Sequence, residues 1–343
     1  MADTSPTKAR TRLTGISSRA WEHPADKGAL SALRQMKGFD VVLRKLAGLW
    51  DERGTRLVEV GTSVRVDDRQ FPKIHAAYLE AASTLDVGKR PELFVTADFR
   101  LNSWAIGIDE PIIVITSALV DLLDDDDELR FVLGHELGHV LSGHALYTTM
   151  LLRLVNLGSS LGWLSFGALG LRALIGALME WSRKAELSGD RAGLLAVQDP
   201  AAALRVHMKL AGGGHLADLD TVAFKAQGEE YLTTKDVRDS VLKFLLVEQT
   251  THPFAVVRSA ELNRWVDSGA YTAVLRGAYP KRDDDATASV RDEVGEAAGH
   301  YREAFERSQD PIVSFLRDLG GGITGARDKV WSWIRGNDDP DDD

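Results

Sequence analysis

The stretch GHELGHVLSGH at residues 134–144 decides how the chain is interpreted. In it, His135 and His139 bracket Glu136 in the order His-Glu-x-x-His. Residues four apart lie on one face of a helix, about 6 Å apart along its axis, so both imidazoles can reach one metal ion. Glu136 stands beside the first histidine, where its carboxylate can take a proton from a metal-activated water. The pattern therefore predicts a catalytic metal site on a helix.

A catalytic zinc ion takes three protein ligands and keeps one position open, so the two histidines need a third partner. The longer form of the motif would place glycine at 142 and histidine at 145, but the chain has Ser142 and Ala145. His144 follows His139 by five residues, which turns it away from the ligand face, so we expect it at the helix end or beside a ligand. A carboxylate from a later helix is the remaining option.

The segment SRKAELSGD at residues 182–190 supplies that carboxylate. Glu186 and Asp190 are four apart and share a face of a helix that can lie across the first one. Glu186 is then the third ligand, and Asp190 accepts a hydrogen bond from the free ring nitrogen of a ligand histidine, expected to be His135. Such a partner fixes the tautomer of a metal-binding histidine. The sequence thus predicts one zinc ion per chain, bound by His135, His139 and Glu186.

Composition limits the other functions that the chain can have. Its 343 residues are 44% hydrophobic, which is enough for a sizeable core, and its formal net charge of -10 argues against nucleic acid as a partner. The absence of cysteine excludes disulfides, thiolate zinc sites and cysteine nucleophiles. The first 20 residues contain no apolar segment of the kind that a secretory signal has, so we expect a cytoplasmic location.

The motifs resemble those of the zinc metallopeptidases that include the HtpX-like heat-shock proteases and the CAAX prenyl endopeptidases. Four blocks carry the resemblance: Asn102-Ser-Trp-Ala with the apolar run at 112–119, the histidine motif at 134–144, the segment at 182–190, and Thr251-His-Pro. They span residues 95–265, about half of the chain, and leave the first 90 residues uncovered. Two positions depart from the family pattern, Ser103-Trp104 and Gly189, and neither is expected to touch a ligand.

The resemblance implies both a fold and roles for individual residues. The fold would be α+β and mainly α-helical, a zincin-like metallopeptidase domain with a small β-sheet edging the active-site cleft. Glu136 would be the catalytic base. His252 is a candidate donor to the oxyanion of the intermediate, and the alternative is that it only precedes the helix after Pro253. The residues implied to bind substrate backbone, by strand addition, are Asn102, Ser103, Trp104 and Ala105.

The domain organisation follows from the local patterns. We expect a mobile N-terminal arm at 1–20, a helical and β-containing region at 21–90 that packs on the catalytic domain, the zinc metallopeptidase domain at 91–280, and a polar linker, amphipathic helix and acidic tail at 281–343. Alternation and β-branched residues predict strands at 56–66, 92–96 and 112–116. Helices are predicted at 71–86 and 128–144, the second capped by the acidic run at 124–127.

The uncharged run at residues 154–171 raises the question of a membrane. Because His139 and Glu186 must meet at one ion, the chain between them has to return to the same side, and two crossings would need about 40 apolar residues. Only 36 residues separate His144 from Trp181. We therefore expect a helical hairpin packed on the domain, and peripheral contact with a membrane surface is left open.

Together these observations predict a zinc-dependent metalloendopeptidase that acts on peptides or unfolded proteins, in protein quality control or processing. Two alternatives stay open at this point: a catalytically silent zinc-binding scaffold of the same fold, and another zinc hydrolase that uses the same ligands. The sequence does not name the oligomeric state.

Overall fold

A computed structural model describes residues 10–35, 52–161, 168–233 and 254–285. Helices dominate these ranges: α1 (Pro24–Gln35), α2 (Glu52–Thr62), α3 (Pro72–Thr84), α4 (Ser117–Leu122), α5 (Asp126–Leu141), α6 (His144–Leu161), α7 (Ala168–Val197), α8 (Pro200–Gly212), α9 (Thr221–Thr233), α10 (Ala255–Asp267) and α11 (Ala270–Leu275). The strands are β1 (Val64–Arg65), β2 (Glu92–Thr96), β3 (Ser103–Ile106) and β4 (Ile112–Thr116). The expectation of a mainly helical fold with a small sheet is confirmed.

The four strands form one mixed sheet in the order β1-β2-β4-β3. Strand β2 runs parallel to β4, with Phe94 opposite Val114, and β1 and β3 lie antiparallel to their neighbours. All five residues of β4 are buried, as their continuous apolar run predicts for a central strand. Strand β3 is the edge strand on the side of the sheet that reaches the histidine motif.

The helix of the motif has 16 residues and is well defined at both ends. Asp125 is its N-cap and accepts a hydrogen bond from the N–H of Asp127, which confirms the predicted role of the acidic run. The helix ends at Leu141, three residues earlier than predicted, because Gly143 adopts a left-handed conformation with a φ of 70°. His144 therefore begins α6 instead of ending α5.

Helices α5 and α7 pack closely through small residues. A Cβ atom built at Gly134 would overlap the Cβ of Ala196, and one built at Gly138 would overlap that of Ala192. The two helices share a core with α3 and the sheet, and its fully buried members include Phe131. This close approach brings the side chains of α7 to the face of α5 that carries the histidines.

The helical hairpin formed by α6 and α7 packs on the N-terminal helix. A second apolar cluster joins Leu33 of α1, Leu154 of α6 and Trp181 of α7, all of them buried. Among the described residues, no helix is long and apolar enough to cross a membrane.

Two local expectations differ from the structure. The mobile arm does not extend over residues 10–20, because Leu13 and Ile16 are fully buried in the main core. The predicted strand at 56–66 is wrong for its first part, which belongs to helix α2. Its β-branched residues indicate only a weak preference for strand, and in the helix the carboxylate of Glu52 accepts hydrogen bonds from backbone N–H groups of the β3–β4 loop.

The close contact between α5 and α7 predicts that Gly138→Ala destabilises the protein. Overpacking against Ala192 costs about 1–3 kcal/mol, which outweighs the gain of up to about 1 kcal/mol from the higher helix propensity of alanine. Thermal unfolding of the metal-free protein measures the effect. The matched control is Gly61→Ala in α2, where an added Cβ meets no atom within 4 Å, so that stability stays the same or rises. Equal unfolding temperatures for the two variants would contradict this account.

Candidate metal centre

Two helices bring three ligating side chains to one point. His135 and His139 project from α5 and Glu186 projects from α7, and one ligand atom of each lies within 4.8 Å of the others. The Nε2 atoms of the two histidines are 3.0 Å apart. The Nε2 of His135 and the Nε2 of His139 each lie 3.5 Å from an oxygen of Glu186. The structure thus places together the three residues predicted to bind the metal.

The spacing of these atoms fits a tetrahedral metal ion. Ligand atoms bound at about 2.0–2.1 Å in tetrahedral geometry lie about 3.3 Å from one another. The distance of 3.0 Å between the two Nε2 atoms, and the 3.5 Å from each Nε2 to its nearer oxygen of Glu186 (Oε2 for His135, Oε1 for His139), bracket that value. The site is also buried, since the three residues are between 5% and 9% exposed. Two imidazoles and one carboxylate in such surroundings form a donor set that suits a divalent transition metal.

Glu136 lies beside the ligands with its two oxygens in different surroundings. Its Oε1 accepts a hydrogen bond of 2.6 Å from the hydroxyl of Ser103, a residue of the edge strand β3. Its Oε2 is buried and has no hydrogen-bond partner among the described residues. One oxygen is therefore held in place while the other is free to take a proton, which is the arrangement that a general base requires.

Asp190 is the partner of His135, as predicted. The Nδ1 of His135 lies 3.1 Å from an oxygen of Asp190, which is 1% exposed. Two further groups face the same carboxylate: the Nε2 of His207 at 3.3 Å and the Nε of Arg258 at 2.7 Å. Burial opposes the ionisation of Asp190, but the charges of Arg258 and His207 outweigh it and hold the pKa of this carboxyl well below its usual value.

Arg258 joins the two carboxylates of α7. While its Nε and one terminal nitrogen contact Asp190, the other terminal nitrogen lies 3.0 Å from Glu186. The guanidinium is 5% exposed, so it compensates two buried negative charges at once. Sequence reasoning missed both Arg258 and His207. The only available signal was that two buried carboxylates require a cation, and nothing local identified which one.

The second ligand histidine is oriented differently from the first. The Nδ1 of His139 lies 3.0 Å from the Nδ1 of His144, the first residue of α6. His144 is 2% exposed, in agreement with its predicted place beside a ligand.

The two departures from the family pattern both lie at the site, and one of them, Gly189, lies against a ligand, contrary to expectation. The hydroxyl of Ser103 bonds the catalytic-base candidate. Gly189 lies against the imidazole of His135, because a Cβ atom at this position would be 2.6 Å from the ring carbon Cε1. A glycine here leaves room for the ligand.

The residues predicted to bind substrate lie on or next to the edge strand. The backbone of Asn102 pairs with Thr116, while its Oδ1 is buried without a hydrogen-bond partner among the described residues. Trp104 packs over the small apolar cluster on one face of the sheet, and Ala105 is buried. His252, the candidate oxyanion donor, lies outside the described residues.

The position of Arg258 predicts a large effect of Arg258→Met. The substitution removes the guanidinium that two buried carboxylates, Asp190 and Glu186, share, and breaking such a buried ion pair costs about 3–5 kcal/mol of stability. The control is Arg264→Met on the same helix, since Arg264 and its partner Glu229 are nearly half exposed and such a pair contributes about 0–1 kcal/mol. Denaturant unfolding measures both. Similar losses for the two variants would contradict the proposed bridging role.

The electrostatics of His135 predict that metal binding releases a proton. Burial works against protonation of this histidine, but its hydrogen bonds with Asp190 and Glu186 outweigh burial and raise its pKa to about 10 in the metal-free protein. At pH 7 the ring therefore carries a proton that a metal ion displaces, and the apparent metal affinity rises as the pH rises toward 10. Calorimetry in buffers of different ionisation enthalpy counts the protons. Binding without proton release at pH 7 would refute the raised pKa.

The same shift sets how the stability of the metal-free protein depends on pH. Because the pKa of His135 is raised in the folded state, protonation of this histidine stabilises the fold. That stabilisation is fully present below the unfolded pKa of about 6.5. It is lost as the pH rises through about 10.

Comparisons with known proteins place the chain in a family. Residues 68–266 match peptidase family M48. The chain is 34% identical over 266 residues to the plastoglobule-localized metallopeptidase 48, chloroplastic, of Arabidopsis thaliana, and the match covers 76% of each chain. No solved structure matches the chain significantly. The matched region contains the histidines of α5, the carboxylates of α7 and Arg258. The chain therefore belongs to peptidase family M48, whose members are metallopeptidases that act on peptides or proteins.

Proposed function

We propose that the protein is a zinc-dependent metalloendopeptidase in which His135, His139 and Glu186 bind the ion and Glu136 is the general base. One observation carries the proposal. A buried three-ligand cluster lies next to a buried carboxylate whose Oε1 accepts a hydrogen bond and whose Oε2 has no hydrogen-bond partner in the described part of the chain. A purely structural site has no use for such a base.

Zinc is the ion that this donor set suits best. Two imidazoles and one carboxylate leave one position of a tetrahedral ion open, which is typical of catalytic zinc. The bound ion would polarise the scissile carbonyl and lower the pKa of a water molecule.

The residues of the chain would perform the remaining steps. The free Oε2 of Glu136 would take a proton from water and pass it to the leaving amine. Ser103 keeps the carboxylate in position through Oε1, and Asp190 keeps the Nε2 of His135 directed at the ion by accepting the proton of Nδ1. The low exposure of the cluster strengthens these interactions, since little water competes with them.

An extended peptide is the substrate conformation that fits the site. Strand β3 is an edge strand, and its first residue, Ser103, contacts the base. A substrate added as a further strand beside β3 would run past Glu136 with its backbone hydrogen-bonded, and Asn102 to Ala105 would line it. This mode requires unfolded or extended segments, which supports a role in protein quality control or processing. A cytoplasmic location and peripheral membrane contact stay predictions.

The decisive test compares the wild type with Glu136→Gln for metal content and for cleavage of casein. Both proteins should bind about one zinc ion, since Glu136 is not a ligand, and the variant should lose activity by about 10²–10⁴-fold, because glutamine cannot accept the proton. Glu229→Gln, an exposed change on α9, serves as the control and should cleave normally.

Two outcomes would contradict the proposal. Full activity of Glu136→Gln would exclude this residue as the base. Zinc binding by both proteins without cleavage by either would favour the catalytically silent scaffold.

A further inference from the structure

A buried carboxylate of the N-terminal helix lies at the end of a chain of contacts from the metal centre. Asp26, in the first turn of α1, is 2% exposed. Its oxygens lie 2.9 Å from the indole Nε1 of Trp181, 2.6 Å from the hydroxyl of Ser188 and 3.0 Å from the Nε2 of His144. Asp26 precedes the region that matches the family, which begins at residue 68.

His144 connects this carboxylate to a metal-ligand candidate. Its other ring nitrogen, Nδ1, lies 3.0 Å from the Nδ1 of His139. All three residues are buried, and the ring of Trp181 packs edge-on against His144 at 5.5 Å, which leaves the imidazole little freedom to turn. The contacts therefore run from Asp26 through His144 to His139 without an intervening water.

The direction of each hydrogen bond follows from the chemistry of the atoms. To bind a metal through Nε2, His139 must carry its proton on Nδ1, so Nδ1 donates to His144. The Nδ1 of His144 then accepts, and the proton of His144 is on Nε2, where only an acceptor can face it. Asp26 is that acceptor. Ser188 cannot replace it, because its oxygen accepts from the backbone N–H of His23 at 2.8 Å while its hydroxyl donates to Asp26.

We propose that Asp26 is a positioning residue of the metal centre, which acts through His144 to hold His139 in the tautomer and orientation that bind the ion. This inference rests on the proposed function. The hydrogen-bond partner of His135 is Asp190 on α7, which lies within the matched region. His139 has His144 as its partner, and the acceptor that faces His144 is Asp26, which lies outside that region, so the N-terminal segment completes the centre.

If Asp26 had only a structural role, its substitution would change stability but not metal affinity. Its contacts with Trp181 and Ser188 also fasten α1 to α7, and loss of those contacts alone would lower stability without a change in metal affinity. Metal affinity and tautomer state therefore separate the two roles.

Asp26→Asn is the informative variant, because an amide has the same shape but only one acceptor oxygen. If its NH₂ group faces His144, the proton of His144 moves to Nδ1 and that of His139 to Nε2, where the ion must bind. If the amide oxygen faces His144 instead, the NH₂ group faces the indole N–H of Trp181, so that two donors meet and a hydrogen bond is lost. Zinc affinity, measured by competition with a chelator, should fall by about 10–100-fold, the usual effect of losing such a partner.

Two controls accompany the variant. Ser188→Ala removes another hydrogen bond to the same carboxylate but keeps the contact with His144, so its zinc affinity should stay close to that of the wild type. Glu128→Gln removes a different buried carboxylate, one that pairs with Lys209 at 2.7 Å, and should lower stability alone.

A measurement on the wild type keeps the test independent of folding of the variants. In the zinc-loaded protein, long-range ¹H–¹⁵N NMR spectra of labelled histidines should show the proton of His139 on Nδ1 and that of His144 on Nε2. Unchanged affinity of Asp26→Asn, or a proton on Nδ1 of His144, would overturn the proposal while leaving the proposed function intact. A wild type that binds no zinc would overturn both.

Discussion

The close approach of α5 and α7 is the constraint on which the metal centre depends. Gly134 and Gly138 allow α7 to lie against the face of α5 that carries the histidines, and Gly189 leaves room for the imidazole of His135. Larger residues would separate the helices, and the side chain of Glu186 would then be too short to reach the histidines of α5. The packing of two helix backbones thus sets the distance of 3.5 Å between Glu186 and each histidine.

This geometry concentrates charge in a buried site, and the charge has to be compensated. Glu186 lies 3.5 Å from both histidines, Asp190 contacts His135, and Glu136 is buried on the same helix as the histidines, and an unpaired buried charge is costly. Arg258 compensates two of the carboxylates in the metal-free protein. A proton on His135 contributes further positive charge, and a divalent ion would replace that proton. The Oε2 of Glu136 accepts no hydrogen bond from any residue that the structure describes, which is consistent with a group that must exchange protons.

The sequence predicts what depends on local spacing and misses what depends on distant partners. The histidine pair, Glu186 and the strands at 92–96 and 112–116 follow from periodicities of a few residues, and all lie as predicted. The segment from Arg56 to Thr62 alternates like a strand but forms a helix, because its partners in the fold outweigh a weak local preference. Arg258, His207 and Asp26 show no local pattern at all. Arg258 lies 68 residues from Asp190 along the chain, and only the folded structure brings them together.

Two helices preorganise a three-ligand site that leaves one position of a tetrahedral ion open. Anomalous diffraction at the zinc edge, on crystals of the zinc-loaded protein, tests this arrangement directly. We expect one strong peak bounded by the Nε2 atoms of His135 and His139 and by the carboxylate of Glu186, with a non-protein oxygen as the fourth ligand. A peak elsewhere, or an ion closed off by a fourth protein side chain from the described part of the chain, would contradict it.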